Sequence, residues 1–204
     1  MKTVDAAKYF ENISNEMSKN RDKLIELDAV FGDGDLGVTM DEGFKALANF
    51  SKEEKEADFG KYFMKGAHVF NEAAPSSLGT IVSFIFMGMA KHLKGKDDIN
   101  VKDFAEAVAK GEENVMTKAE SKVGEKTILD ALDPAVKVLV EETNSDKNSK
   151  QVLFDAATAA QKGADSTVDM VAVHGRAAYH GEKTKGHMDG GALMIALLFK
   201  ALAE

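Results

Sequence analysis

The length, composition and charge of the chain exclude several classes of protein. It has 204 residues, of which 44% are hydrophobic, no cysteine and a formal net charge of −8. These values predict one globular domain over residues 1–204. They exclude disulfides and thiolate zinc sites, and they argue against a nucleic-acid binder, which needs a basic face. The first residues lack the apolar core of a signal peptide, and no apolar run could cross a bilayer, so we expect a cytoplasmic protein without membrane contact.

Composition and apolar spacing predict an all-α protein of about eight helices, because only two prolines interrupt a sequence rich in helix formers. Residues 80–90 are apolar on nearly every face and could alone form a buried strand, but their extension to Leu93 without turn residues favours a central helix. Short charged connections predict antiparallel neighbours. The predicted helices cover residues 4–18, about 20–30, a stretch from Met40, then 58–72, 80–93, 101–116, 127–140, 151–163 and 192–203.

The segment 165–191 has no clear periodicity, and a segment of this length in a compact domain is usually functional. It contains Arg176, whose guanidinium could bind a phosphate or form an ordinary surface salt bridge. Asp189 is a predicted cap of the last helix. His174, His180 and His187 share no regular spacing, so we do not expect a histidine metal site.

Three aspartates, Asp28 in the last turn of the second predicted helix and Asp33 and Asp35 in the loop after it, lie in a glycine-containing stretch bordered by apolar residues. Like charges this close repel one another, and a divalent cation would convert the repulsion into ligation. Carboxylate oxygens suit magnesium, calcium or manganese. An EF-hand is excluded because Val38 stands where the loop needs glycine, and no glutamate stands at the twelfth position. The alternative is a glycine-rich turn in which Asp35 caps the following helix.

Two further segments are candidates for ligand contact. Small residues over 71–80 precede the apolar helix, whose N-terminus could attract phosphate, although Ser76 or Ser77 could simply cap it. Residues 124–130 have a capping-box shape, with Thr127 three residues before Asp130. No nucleophile elbow and no phosphate-binding loop of the Walker type occurs. The residues alone therefore predict a helical domain with a divalent-metal site, but no reaction.

Taken in order, these motifs resemble the L subunit of bacterial dihydroxyacetone kinase. The resemblance runs from end to end, over residues 27–37, 43–44, 79–80, 124–130, 175–177, 186–187 and 189–192. It implies a barrel of eight antiparallel helices that binds ADP or ATP at one end. It also implies that Asp28, Asp33 and Asp35 hold two magnesium ions. The implied nucleotide-binding residues are Leu36, Gly37, Val38, Thr39, Ala73, Ala74, Gly124, Ile128, Arg176, Asp189, Gly190 and Gly191.

The resemblance also implies a reaction and its partners. In similar stand-alone subunits the bound ADP is a coenzyme, which a phosphocarrier M subunit of the phosphotransferase system rephosphorylates. The phosphoryl group then passes to dihydroxyacetone, or a related small ketose, on the K subunit. The chain itself would supply no catalytic side chain, because phosphoryl transfer depends on positioning and charge neutralisation. A homodimer is also expected to be possible.

Two departures from the family pattern stand at the expected phosphate contacts. Leu36 replaces a histidine, and the sequence Ala73-Ala74-Pro75 replaces a segment with a serine hydroxyl. They leave open a diverged paralogue acting on another ketose, or a subunit whose nucleotide exchanges freely. The alternatives from other classes are a non-catalytic regulatory subunit that binds metal or nucleotide, and a calcium-dependent structural domain.

Overall fold

The computed structural model describes residues 1–204 and contains eight α-helices and no strand. Three 3₁₀ segments, Thr3–Asp5, Thr167–Asp169 and Arg176–Thr184, lie outside them. The helices are α1 (Ala6–Ala29), α2 (Leu36–Glu53), α3 (Phe59–Ala73), α4 (Ser77–His92), α5 (Val101–Ala119), α6 (Leu129–Glu142), α7 (Ser149–Ser166) and α8 (Gly190–Ala203).

The eight helices form a closed antiparallel barrel. Each helix packs against the next along the chain, and α8 packs against α1, which closes the ring. Short connections between consecutive helices, with residues 167–189 as the one long exception, produce this up-and-down order. The all-α barrel of eight helices implied by the resemblance is therefore confirmed. None of the helices combines the length and the apolar character needed to cross a bilayer.

The prediction of separate helices over residues 4–18 and 20–30 is wrong, because α1 is continuous from Ala6 to Ala29. The polar residues at the predicted boundary have partners in the helical conformation. The Ser18 hydroxyl donates to Asp41 of α2, and Asn20 Nδ2 donates to the carbonyl of Glu16 at 2.9 Å. The third predicted helix, marked by Met40, is α2, and it begins at Leu36, next to the start near Gly37 that goes with Asp35 at the cap position. The apolar run over residues 80–90 lies inside α4 and is helical, as predicted.

Aromatic side chains fill the half of the barrel where α1 and α3 begin. The Phe10 ring lies 6.5 Å from Phe63 and 6.2 Å from Phe86 in edge-on contacts, and Phe63 stacks on Phe86 at 6.1 Å. An apolar cavity of about 330 Å³ extends from this cluster towards the beginnings of α5 and α7. Because neighbouring helices run in opposite directions, the beginnings of α2, α4, α6 and α8 lie at the other end of the barrel.

Candidate functional site

Four connections meet at the end of the barrel where the even-numbered helices begin. They are residues 30–35, 74–76, 120–128 and 167–189. All the predicted site residues lie in these connections or in the adjoining helical turns. The up-and-down topology thus brings four segments that are distant in the sequence to one face, which we call the loop end. Residues 167–189 form the longest of the four and are called the α7–α8 segment.

The aspartate cluster lies between α1 and α2. One carboxylate oxygen from each of Asp28, Asp33 and Asp35 lies within 4.8 Å of the others. Asp28 is in the last turn of α1, where its Oδ2 is buried without a hydrogen-bond partner. Gly32 passes so close that a Cβ there would lie 2.3 Å from Asp28 Oδ1. The glycine therefore lets the loop fold back over the carboxylate.

The electrostatics of this cluster favour a hard cation. Partial burial, and then the charges of Asp33 and Asp28, raise the pKa of Asp35, and Arg176 opposes that rise. An all-oxygen donor set with a buried, unpartnered oxygen fits magnesium, manganese or calcium better than zinc. The capping alternative is not supported, because Asp35 precedes α2 without making a side-chain cap.

The first turn of α2 lies directly beside the aspartates. Its leading N–H groups have no side-chain cap, whereas Ser76 caps α4 through Gly79 N–H at 3.0 Å and Asp189 caps α8 through Ala192 N–H at 2.7 Å. Uncapped N–H groups and the helix dipole attract anions. The beginning of α2 therefore places N–H groups without a side-chain cap next to the aspartate cluster.

The residues predicted to contact phosphate, at the beginning of α2, differ in how far they are exposed. Leu36, Gly37 and Thr39 are buried and Val38 is half-buried. The Leu36 side chain packs over Gly190, where an added Cβ would lie 2.6 Å from Leu36 Cδ2. Gly37 lies against the backbone of α1, where an added Cβ would be 2.1 Å from the Arg21 carbonyl oxygen. At Leu36 and Gly37 the chain can therefore offer a phosphate its backbone N–H groups, but no polar side chain.

The connection between α3 and α4 brings Ala73 and Ala74 to the loop end. Ala73 is half-buried, but Ala74 is 0% exposed and belongs to the hydrophobic core. Its carbonyl oxygen lies 1.9 Å from where a Cβ on Gly79 would be. The Ala74 N–H and carbonyl groups are already bonded to Phe70 and Ser76, so Ala74 forms the buried floor of this connection and exposes no atom to a ligand.

The connection between α5 and α6 forms another wall of the loop end. Gly124 is exposed, with a positive φ of 91° that favours glycine, while Ile128 is 4% exposed. Ile128 packs against Gly191, where an added Cβ would be 2.7 Å from its Cγ2. Asp130 accepts the N–H groups of Gly124 and Thr127. This is part of the predicted capping box, but the Thr127 hydroxyl accepts from Leu129 N–H, two residues on.

The α7–α8 segment lies over the aspartate loop. Arg176 Nη2 is 2.7 Å from Asp33 Oδ2, and Phe31 packs against His180 and His187 with ring centroids 5.0 and 5.2 Å away. His174 pairs instead with Glu125 at 2.6 Å, so the histidines do not converge on a metal. Asp189 ends this segment as the cap of α8, and burial raises the pKa of its carboxyl group to about 6.

Comparison with known proteins decides the family. A family model described as the DAK2 domain matches residues 30–204. The chain belongs to the DAK2 domain family. The resemblance recognised in the sequence motifs is thereby confirmed.

Three similar proteins indicate what members of this family do. The chain is 29% identical over 199 residues to the "PEP-dependent dihydroxyacetone kinase 1, ADP-binding subunit DhaL" of Listeria innocua, covering 98% of this chain and 94% of that protein. It is 29% identical to the L-erythrulose kinase of Pectobacterium atrosepticum, covering 90% of this chain but 32% of the kinase. The crystal structure of dihydroxyacetone kinase from C. freundii in complex with AMP-PNP and Mg²⁺ superimposes with a TM-score of 0.76 at 26% identity, covering 97% of this chain and 33% of that one.

One residue at the loop end of this DAK2 domain was not singled out from the sequence. Lys126 is 6% exposed, and its ammonium group donates to four backbone carbonyls of residues 167–187. In the sequence it stands inside an ordinary capping pattern, and nothing there shows the distant carbonyls it binds.

Proposed function

We propose that the protein is the nucleotide-binding subunit of a phosphotransferase-system-dependent dihydroxyacetone kinase. The observation that carries this proposal is the aspartate cluster beside the uncapped beginning of α2, with the Arg176 guanidinium 2.7 Å from Asp33. The Listeria relative, named an ADP-binding subunit, is covered over 94% of its length. The C. freundii kinase was crystallised with AMP-PNP and Mg²⁺. Both support a magnesium nucleotide as the ligand.

In this proposal each group of residues has a separate task. Asp28, Asp33 and Asp35 bind two magnesium ions, which neutralise phosphate charge when bound. Gly37, Val38 and Thr39 border the phosphates, with the N–H groups of Gly37 and Val38 as donors, since Thr39 N–H already donates to Asp35 O at 2.9 Å. The remaining predicted residues flank or close the nucleotide site: Leu36, Ala73, Ala74, Gly124, Ile128, Arg176, Asp189, Gly190 and Gly191.

The chain needs no nucleophile of its own for this activity. A phosphocarrier M subunit would donate a phosphoryl group to bound ADP, and the same group would then leave ATP for the hydroxyl of a ketose. Positioning and charge neutralisation are the main requirements of phosphoryl transfer, and the loop end supplies both. We place this reaction in the cytoplasm, together with its phosphocarrier.

The ketose-binding K subunit is proposed to dock on the loop end, because the phosphoryl group must reach a substrate that the partner holds. Exposed apolar side chains surround this end, which is typical of an interaction surface. They are Val30 (42% exposed), Val123 (42%), Val173 (54%) and Tyr179 (92%). Replacing Val173 and Tyr179 with serine should weaken K-subunit binding and leave magnesium-dependent ADP binding intact. The matched control is Phe154→Ser, which changes an exposed side chain of α7 (59%).

Dihydroxyacetone is the proposed substrate, although the ketose would be selected by the partner subunit. A relative of this chain is an L-erythrulose kinase, so a second small ketose belongs in the same assay. The regulatory alternative rests on Leu36, whose buried side chain offers no polar contact to phosphate. Phosphate transfer to a ketose with the cognate K and phosphocarrier subunits separates these two functions, since a regulatory subunit would bind nucleotide without transfer.

Calorimetric titration with ADP and magnesium tests the binding step. The wild-type chain should bind ADP only with magnesium, and Asp33→Asn should weaken that binding at least ~10-fold, because the charge that attracts the metal is lost. Circular dichroism should show an unchanged helical fold. Asp146→Asn, at an exposed site on the α6–α7 connection, is the control. Failure of the wild type to bind ADP under any condition would refute the kinase proposal, and stabilisation by calcium alone would favour the structural-domain alternative.

A further inference from the structure

Lys126 connects two walls of the loop end through its ammonium group. Nζ donates to the carbonyl oxygens of Thr167 (2.7 Å), Met170 (3.2 Å), Thr184 (2.7 Å) and His187 (2.6 Å). An ammonium group has three N–H donors, so four acceptors use its whole capacity. Lys126 is 6% exposed and adopts a positive φ of 60°, which is uncommon outside glycine. The ammonium group is thus fully occupied by backbone and has no donor left for a phosphate.

The four carbonyls belong to the two ends of the α7–α8 segment. Thr167 and Met170 stand where the segment leaves α7, and Thr184 and His187 stand where it returns to α8. Beyond the lysine, these two ends are also joined by hydrogen bonds from Gly186 N–H to Val168 O at 2.8 Å, from Asp189 N–H to the Thr167 hydroxyl at 2.9 Å and from Ala172 N–H to the Thr184 hydroxyl at 3.0 Å. The Lys126 ammonium adds four hydrogen bonds at this point, and so helps to close the base of a long loop that contains only 3₁₀ helix.

Glu125, the preceding residue, holds the middle of the same segment. Its carbonyl oxygen accepts from Val173 N–H at 3.3 Å, and its carboxylate pairs with His174 Nε2 at 2.6 Å. These contacts end two residues before Arg176, whose guanidinium reaches Asp33. The exposed Arg176 side chain has no other ion pair. Its place over the aspartate cluster is therefore set by the segment, and the segment is held by residues 125 and 126.

We infer that Lys126 is a positioning residue for the nucleotide site, acting through the α7–α8 segment to keep Arg176 over Asp33. This inference rests on the proposed function, since it assigns Arg176 a part in nucleotide binding. Burial lowers the pKa of Lys126, and the carboxylates of Asp189 and Asp169 oppose that shift. Lys126 makes no hydrogen bond to the aspartates of the metal cluster. It can therefore influence nucleotide binding there only by holding the α7–α8 segment.

Lys126→Met tests the inference, because methionine keeps much of the side-chain length and removes every N–H donor. We expect magnesium-dependent ADP affinity to fall ~10-fold, with the helical signal retained. Lys183→Met is the matched control, since Lys183 lies exposed in the same segment and makes no ion pair or hydrogen bond. An equal loss of ADP affinity in Lys183→Met would overturn the inference, because the loss would then follow from removing any positive charge from the segment.

A double-mutant cycle separates positioning from general stabilisation. If Lys126 acts through Arg176, then Lys126→Met should change ADP affinity less than ~2-fold when Arg176 is already methionine, since coupled residues are not additive. If the losses of ADP affinity in the two single variants add up in the double variant, Lys126 does not act through Arg176. Should Lys126→Met fail to fold, Lys126→Gln, which keeps two N–H donors, replaces it in the same cycle with the same expectations.

Hydrogen exchange of the backbone amides tests the inference without any nucleotide. In Lys126→Met the amides of residues 167–189 should exchange faster, while those of α1 to α4 should stay protected. Uniform deprotection, or none, would overturn the positioning role. A wild-type chain that binds no nucleotide would refute the proposed function, and this exchange pattern would still decide whether Lys126 holds the segment.

Discussion

Arg176 Nη2 lies 2.7 Å from Asp33 Oδ2, so an arginine from the α7–α8 segment neutralises part of the aspartate cluster between α1 and α2. Asp33 is one of the three proposed metal ligands, and its carboxylate therefore has a cationic partner before any metal arrives. Magnesium and Arg176 would compete for the same oxygen. A phosphate bound at the beginning of α2 would give the guanidinium a second anionic partner, and would remove that competition.

We therefore predict opposite effects of Arg176→Met on two binding reactions. Affinity for magnesium alone should rise, because the uncompensated aspartates attract the ion more strongly, by about 1 kcal/mol for a partly exposed site. Affinity for ADP in the presence of magnesium should fall at least ~10-fold, because a charge-assisted contact to phosphate is lost. Calorimetric titrations with magnesium alone, and with ADP at saturating magnesium, measure these two affinities.

Asp33→Asn helps to interpret that result, since it removes the other partner of the same ion pair. The asparagine variant should lose affinity in both titrations, whereas Arg176→Met should lose it in one only. A parallel fall of both affinities in Arg176→Met would show that Arg176 supports the fold of the aspartate loop rather than the phosphate.

The sequence predicted the parts of this site that lie close together in the chain. Asp28, Asp33 and Asp35 are separated by only a few residues, so their local spacing was enough to predict the cluster that the structure contains. The joining of the α7–α8 segment to the α5–α6 connection could not be predicted, because the acceptors bound by Lys126 are backbone carbonyls. Every residue type carries such a carbonyl, so no pattern of side chains marks the partners.

The difference between local patterns and contacts to distant residues also explains which helices were predicted correctly. Apolar spacing correctly predicted α3, and a long apolar run without turn residues correctly predicted α4. Apolar spacing failed within α1, where one helix was predicted to end at residue 18 and another to begin at about residue 20, although Ser18 and Asn20 are both hydrogen-bonded in a continuous helix. A polar residue in a helix can bond to a neighbouring helix or to its own preceding turn, and the sequence does not distinguish these from a loop.

Asp28→Asn should stabilise the metal-free protein and abolish its response to magnesium. The Asp28 carboxylate stands in the last turn of α1, where the helix dipole disfavours an anion, and its Oδ2 is buried without a partner. Removing its charge also relieves repulsion from the two nearby aspartates. We expect the free energy of unfolding without metal to rise by about 1 kcal/mol. Thermal denaturation in chelator and in excess magnesium measures both effects.

Glu26→Gln is the control for that experiment, since it removes a charge from the same helix end outside the cluster. It should keep the magnesium-dependent rise in melting temperature. If Asp28→Asn also kept that rise, the buried oxygen would not be a metal ligand, and Asp33 and Asp35 alone would form the site.

Glu112, away from the loop connections, should make the stability of the barrel depend on pH. This side chain of α5 is 7% exposed, and its Oε1 is buried without a hydrogen-bond partner. Burial, with smaller contributions from Asp133 and Glu113 and against the attraction of Lys137, raises its pKa from 4.5 to about 7. The folded protein therefore holds a proton that the unfolded chain releases at lower pH. Stability is greatest below the unfolded pKa and decreases as pH rises towards the folded one.

Glu112→Gln should remove this pH dependence, because the amide is neutral throughout. Between pH 4.5 and 7 the wild-type protein should lose about 2–3 kcal/mol of unfolding free energy relative to Glu112→Gln, at 1.36 kcal/mol per pKa unit. Glu53→Gln is the matched control: its side chain is exposed at the end of α2, remote from Glu112, so it should retain the wild-type pH profile. Urea denaturation at a series of pH values measures all three proteins. A Glu112→Gln profile parallel to that of the wild type would show that the Glu112 carboxyl group is solvated in the folded barrel, since only a desolvated group ties protonation to folding.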